Sequence, residues 1–281
     1  MSGAGNVADA PEFDCSISRV APGAINVRGY DLCEMMRQAS ASEASFLVLT
    51  GRRPTRGELR VFDAMLVANA DHGLVSTLVI AARYVMTGAA SLPAAMAAGV
   101  LSFGPYTGTA GLIADLLIEL GLSIDPREAA NAVPPDDAAI DAAIAARRAR
   151  REPVPGLGHP IHRERDPRTD TLRAIALECG VGGAAVELLD RVRARASRAV
   201  GRELVINVDG FMGALMLDMG FTPAQMLATN ILSAIPAIAA HAIEEADGGR
   251  RLRYPRDHAA SYTLPEATRA WADEPPAGER G

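Results

Sequence analysis

Three short stretches set proton-moving and anion-holding side chains beside glycines in a chain that is otherwise apolar. "ADHGLVST" carries Asp71, His72 and Ser76 at a helix-breaking glycine. "GLGHPIHRERDPR" carries His159, His162, Arg163, Arg165 and Arg168 behind a Gly-Leu-Gly corner. "VINVDGFMGAL" places Asp209 between a short β-like run and an apolar helix. Two histidines, a carboxylate and several arginines at element ends suit acid–base work on an anionic substrate. An aspartate can move a proton at carbon when a neighbour polarises the adjoining carbonyl, and a histidine can be that neighbour. Arginines hold carboxylates in bidentate geometry.

Blander readings stand beside these. Asp209 also fits a helix N-cap, a role typically worth about 1 kcal/mol. His72 taken alone fits a satisfied core histidine. His162 and His258 read as bland, and His241 reads as packing or capping within its own helix. Several chemistries lack their signature: there is no H-E-x-x-H, no G-x-S-x-G, no Walker loop and no G-x-G-x-x-G. The expected site therefore holds no metal.

Those side chains need a scaffold, and the scaffold reads as helical. The chain has 281 residues, 49% hydrophobic but only 4% aromatic, so its core must be built from small aliphatic side chains. Alanine and leucine abundance favours an all-α fold. "ISRVAPGAINVRGY" reads as a short hairpin around a Pro-Gly turn, and helical patterning dominates from Asp31 onward. Gly51 sits where a helix C-cap belongs, and Pro54-Thr55 where an N-terminus begins. "STLVIAARYVMTGA" and "LPAAMAAGVLSFG" are apolar almost all round, which places them in the middle of a helical body. Residues 1–14 are small, polar and acidic and read as a flexible arm. The segment 125–205 is more charged than its surroundings and reads as a small domain. The large domain then comprises 15–124 and 206–281, with a cleft between the two.

The formal net charge of −6 argues against a nucleic-acid partner. Cys15, Cys33 and Cys179 are scattered and odd in number, which fits a reducing cytoplasm. The N-terminus lacks the n-region and h-region of a signal peptide, and no uninterrupted apolar run reaches the roughly 18 residues of a membrane span. A soluble, cytoplasmic protein with no membrane partner is the expectation.

The motifs together, in this order, resemble the citrate synthase superfamily. "DHGLVSTLVIAARYV", "GLGHPIHRERDPR" and "NVDGFMGAL" carry the likeness, and "RGYDLCEMMRQASASEASFLVLTGRRPT" looks like the amino-terminal helices of the same family. The resemblance implies a large and a small helical domain, a homodimer or higher homo-oligomer, and a coenzyme A thioester as substrate with no permanently bound cofactor. One departure is informative. Synthases carry a catalytic histidine in G-P-L-H-G-G-A-N, whereas this chain reads Gly104-Pro105-Tyr106-Thr107-Gly108-Thr109. Thr107 cannot act as the same imidazole donor. The citryl-CoA lyase branch, including the carboxy-terminal module of ATP-citrate lyase, is the closer likeness, supported by "ELVINVDGFMGALMLDMG" and "LRYPRDHAASYTLPE".

The resemblance implies roles residue by residue. His159 contacts the substrate hydroxyl or the nascent ketone, and Asp209 exchanges a proton with the acetyl carbon. Arg168 clamps a carboxylate, joined by Arg253 or Arg256 of the tail, with His72 and Ser76 orienting the substrate. Gly156, Leu157 and Gly158, with Arg163 or Arg165, receive the CoA nucleotide. Retro-aldol cleavage of citryl-CoA to acetyl-CoA and oxaloacetate is the expected reaction. The alternatives are condensation of an acyl-CoA with a 2-oxo acid, or acyl-CoA binding without catalysis.

Overall fold

A computed structural model describes residues 13–131, 133–249 and 252–254, and the single residues 259, 261 and 263. The expected arm lies outside the described residues except for Phe13 and Asp14, both exposed. Helices dominate. The hairpin is present as β1 (Ser18–Ala21) and β2 (Ala24–Val27), antiparallel, with a short β3 (Tyr30–Asp31) on its far edge. Gly23, at φ 75°, takes the left-handed conformation that the Pro-Gly turn needs.

Local chemistry accounts for the first helices. Asp31, Ser40 and Thr55 accept the first free amides of α1 (Leu32–Gln38), α2 (Ala41–Thr50) and α3 (Arg56–Ala68). Thr55 and Glu58 complete a reciprocal capping box, and Gly51 ends α2 in the left-handed region. After a 3-10 turn at Gly73–Val75 come α4 (Thr77–Ala89), α5 (Leu92–Leu101), α6 (Ala110–Glu119) and α7 (Pro126–Asn131). Then follow α8 (Asp137–Ala149), α9 (Pro167–Glu178), α10 (Ala184–Val200), α11 (Val208–Asp218) and α12 (Pro223–Asp247).

The main core runs through α3, α6, α10 and α11 and takes in Ile140 and Ile144 of α8 and Leu172 of α9. Phe46, Phe62 and Phe221 meet at one end of it. The rings of Phe46 and Phe62 lie edge-on at 5.3 Å, and those of Phe46 and Phe221 at 5.1 Å. A smaller cluster, Leu78, Ala82, Ala95, Ala234, Ile238 and Ala242, joins α4, α5 and α12.

Two expectations need correction. The central helix is α11, nine of whose eleven residues are buried, whereas α5 buries only Ala95 and Gly99. α4 and α5 form an outer layer and leave Ile80, Tyr84 and Leu101 exposed. The uniform apolarity of these helices serves a surface of the single chain and not its centre. Secondly, α12 is long and apolar enough to cross a membrane by length and composition, although no run of 18 uninterrupted apolar residues exists. Buried Thr229, Asn230 and Ser233 interrupt its apolar run, and 44% of its apolar window is buried against the rest of the chain.

Candidate active site

Asp166 organises the centre of the site. It is 1% exposed and caps α9, with Pro167 in the first turn. Its carboxylate grips Arg168 with both oxygens, Oδ1 to Nε at 3.0 Å and Oδ2 to Nη2 at 2.8 Å. It also accepts the Val208 amide at 3.2 Å, which ties α9 to the start of α11. Burial pushes this carboxyl up, but the hydrogen bonds and charge of Arg168 and the two amides outweigh it and hold it below the usual carboxylate range.

Arg168, fixed in this way, reaches two histidines, one nine residues before it and one 96 residues before it. Its Nη1 lies 2.9 Å from His72 Nε2, and its Nη2 lies 3.3 Å from His159 Nε2. His72 therefore presents a lone pair at Nε2, which requires its proton on Nδ1. His159 is held differently: its Nδ1 accepts the amides of Ile161 at 3.1 Å and His162 at 2.9 Å. A neutral imidazole has one lone-pair nitrogen, so these shorter contacts assign the proton to Nε2. The Nε2–H of His159 and an N–H of Arg168 then converge on the same space. A carbonyl or carboxylate oxygen satisfies both donors. Burial, and next the Arg168 charge, lower the pKa of His72; burial, then His162 and Arg168, lower that of His159. Both rings are biased toward the neutral form.

The loop before His159 is built against the segment before α11. Gly158 N–H donates to the Val205 carbonyl at 2.7 Å, and Asn207 N–H donates to the Gly156 carbonyl at 3.0 Å. The Asn207 side chain donates to the Gly158 carbonyl at 2.8 Å while its Oδ1 caps α11 through the Gly210 amide. Asn207, and not Asp209, is therefore the N-cap, and the bland reading of Asp209 is corrected. Gly156 has its own structural reason. A Cβ there would lie 2.6 Å from the Gly210 Cα, so the pair of glycines lets loop and helix touch. The carbonyls of Gly156 and Gly158 are spent within the chain.

Asp209 stands in the first turn of α11, where its Oδ2 accepts the Thr109 amide at 3.3 Å and lies 3.4 Å from the Thr109 hydroxyl. Thr109 is the N-cap of α6. Two helix N-termini thus aim their positive ends at this corner, which favours negative charge developing there. The close crossing depends on Gly213, whose Cβ would collide with the Ala110 carbonyl and Ile113.

One cleft of about 790 Å³ collects these groups. His72, Ser76, Thr107, Gly156, Leu157, Gly158, His159, Arg168 and Asp209 all line it. Ser76 makes no capping bond with its side chain, and the Thr107 hydroxyl lies 3.4 Å from that of Thr77. Other expected residues are elsewhere. Arg163 is exposed and Arg165 pairs with Asp170 on the surface; neither lines the cleft. Arg253 holds the buried carboxylate of Glu245 with Nε at 2.7 Å and Nη2 at 2.6 Å, away from the cleft. The physical reason is charge: the nearly inaccessible Glu245 is neutralised by Arg253 together with Arg83, whose Nε lies 2.7 Å from Oε2. Arg256 and His258 lie outside the described residues. His162 stacks on His159 at 4.5 Å between ring centroids. His241 reaches across to Asp71 at 3.3 Å and does not cap its own helix. Among the described residues there is no group of three His, Cys, Asp or Glu side chains able to hold a metal ion.

Among the lining residues that the motif reading missed are an arginine and three asparagines. Arg147 of α8 is paired with Glu119 through Nη2, while Nη1 is buried with no hydrogen-bond partner among the described residues. Asn69, Asn207 and Asn230 come from three other places in the chain. A lone asparagine in a 25-residue apolar helix was the available signal for Asn230.

The family model described as "Citrate synthase, C-terminal domain" matches residues 56–256. The chain belongs to the citrate synthase family. It is 26% identical over 213 residues to a citrate synthase of Deinococcus radiodurans, covering 73% of this chain and 52% of that protein. The chain spans about half the length of the curated relatives it matches. The solved structure of citryl-CoA lyase from Hydrogenobacter thermophilus is 29% identical, with a TM-score of 0.80 over 94% of this chain and 99% of that one. ATP citrate lyase from Methanothrix soehngenii, solved with citrate and coenzyme A, shares the fold at 20% identity. Its TM-score is 0.71 over 92% of this chain and 42% of that one. The fold of this citrate synthase family member is thus the all-α, citrate synthase-like one expected from the motifs.

Proposed function

We propose that this citrate synthase family member cleaves citryl-CoA, or a similar 3-hydroxy-3-carboxyacyl-CoA, to acetyl-CoA and oxaloacetate. The observation that carries the reading is the convergence of His72, His159, Arg168 and Asp209 on one cleft, with Thr107 where a synthase histidine is expected. Likeness to citryl-CoA lyase across nearly the whole of both chains supports it. Arg168, immobilised by Asp166, holds a substrate carboxylate. The His159 Nε2–H and the guanidinium stabilise the oxygen of the tertiary alcohol as it becomes a ketone. The bond to the acetyl carbon breaks, its electron pair becomes the enolate of acetyl-CoA, and Asp209 delivers a proton to that carbon. The hydroxyl proton leaves to water in the cleft, and water returns a proton to the Asp209 carboxylate, so one proton is lost at oxygen, one is gained at carbon and the carboxyl is restored. No oxidant or resident cofactor takes part, and the CoA thioester is substrate.

The scheme includes the remaining expectations. Residues 125–205 act as the small domain, and Arg147 replaces Arg163 and Arg165 as the cation that receives the CoA phosphates. The setting is cytoplasmic, without nucleic-acid or membrane partners. The working form is a homodimer joined through the outer layer of α4, α5 and α12. That layer exposes Ile80, Tyr84, Leu101 and Leu232.

Purified protein is incubated with citryl-CoA, and separately with acetyl-CoA plus oxaloacetate. Oxaloacetate release from citryl-CoA is the expected result. Release of free CoA from the second mixture would establish the condensing reaction, the reading favoured by the Deinococcus relative. Binding without turnover in either mixture would overturn both. Asp209→Asn should lower turnover by about 10²–10⁴ while CoA binding is retained, because the carboxyl serves proton transfer and not affinity. Unchanged turnover would remove Asp209 from its role.

A further inference from the structure

The substitution at Thr107 leaves a chemical need unmet. A thioester enolate requires a donor at its oxygen, and the donor must be oriented before the charge develops. Asn230 on α12 has the properties of such a donor. It is 2% exposed, lines the same cleft as Thr107, Thr109 and Asp209, and neither Oδ1 nor Nδ2 has a hydrogen-bond partner among the described residues. Its neighbours are spent: the Thr229 hydroxyl donates to the Gln225 carbonyl, and the Ser233 hydroxyl donates to the carbonyl of Asn230 itself. A buried amide with both ends unpaired is costly, so natural cores rarely retain one without a use.

Its location relates it to the vacant histidine position. Nδ2 lies 3.6 Å from where a Cβ on Gly108 would stand, so the amide abuts the turn that carries Thr107. The next residue of that turn, Thr109, bonds Asp209. Asn230 and Asp209 therefore both lie against one short loop, at the corner toward which α6 and α11 point their N-termini. Ala234, one turn further along α12, also lines the cleft and leaves room for an acyl group beside the amide.

We propose that the Asn230 side-chain amide donates a hydrogen bond to the acyl carbonyl oxygen of a bound CoA thioester, and that it stabilises the enolate formed there. This rests on the acyl-CoA reading above. An amide is neutral across the working pH range and offers its N–H without proton transfer. The substrate's electron pair arrives on oxygen, and the proton that later neutralises the enolate goes to carbon from Asp209. Thr107 is the competing donor, but its hydroxyl already faces Thr77.

The test uses the full chain with [1-13C]acetyl-CoA and reads the carbonyl stretch by infrared difference spectroscopy. Wild-type protein and Asp209→Asn should shift the bound carbonyl to lower frequency, and Asn230→Ala should lose the shift. Asn230→Ala should also lower citryl-CoA turnover by about 100-fold, keep acetyl-CoA affinity within about threefold, and raise the melting temperature of the free protein. Asn230→Asp, which keeps the shape, should lose turnover as well. An unshifted carbonyl in the wild type, or a shift that survives Asn230→Ala, overturns the proposal. So does a shift lost in Thr107→Val but kept in Asn230→Ala. Acetyl-CoA failing to bind wild type overturns it together with the acyl-CoA reading. A wild type that shifts the carbonyl but does not cleave citryl-CoA overturns the lyase reading and supports the role of Asn230.

Discussion

His72 and His159 are both held as neutral rings, but by different means. His72 is half-buried against a guanidinium, whereas His159 is pinned by two backbone amides on a loop that is itself bonded to the 205–207 segment. Their pKa values lie below the ordinary 6.5, so acidification protonates the unfolded chain before the folded one. Their contribution to stability is then complete above pH about 6.5 and is lost as pH falls through the window between that value and the lower folded-state ones. Denaturation midpoints measured across pH should be level above that point and fall below it, and His72→Gln should flatten part of the fall. Turnover should follow the same pattern, because the rings act as neutral groups. An acid limb of kcat centred above pH 6.5 would contradict the assignment.

In the Gly-Leu-Gly corner Gly156 is required by what it packs against, whereas Gly158, at φ 84° with open space around it, serves the turn itself. Gly156 and Gly210 touch backbone to backbone, and both take part in placing elements that carry chemistry, His159 on one side and Asp209 on the other. Gly210→Ala would drive a Cβ to 2.5 Å from both the Cα and the carbonyl oxygen of Gly156, with no flexible side chain to yield. The expected cost is about 1–3 kcal/mol of stability, seen as a lower denaturant midpoint. Turnover should fall more than stability does, because α11 would be pushed off the loop and Asp209 moved from the α6 N-terminus. Gly210→Ala with normal stability and normal turnover would show that the loop and helix are free to separate.

The molecule as a whole places its well-packed core under α11 and leaves a thin second layer outside. The six buried members of the α4–α5–α12 cluster are mostly alanines, and large apolar side chains remain on the solvent side. An exposed apolar layer of that kind suits an interaction surface in a folded protein. A second copy of the chain is the occupant proposed above. Sedimentation equilibrium should give twice the mass of the chain, and Tyr84→Arg together with Ile80→Asp should give the single mass. A wild-type monomer at micromolar concentration would remove the dimer from the scheme.

Much was legible along the chain because its causes are local. Thr55 and Gly51 mark helix ends through contacts within a few residues; Ser40 and Asp166 cap α2 and α9 just as locally, although the motif reading singled out neither. The motif glycines Gly156 and Gly158 and the histidines His72 and His159 line one cleft. What adjacency could not decide was partnership. Arg168 meets His72 across 96 residues, Thr109 meets Asp209 across 100, and Arg253 joins Arg83 on the buried carboxylate of Glu245. The same holds for Asn230, whose amide looks ordinary in sequence. Only the packing of α12 against the 104–109 turn leaves it buried, unpaired and facing the cleft, since the cost of an unsatisfied group is set by what surrounds it in space.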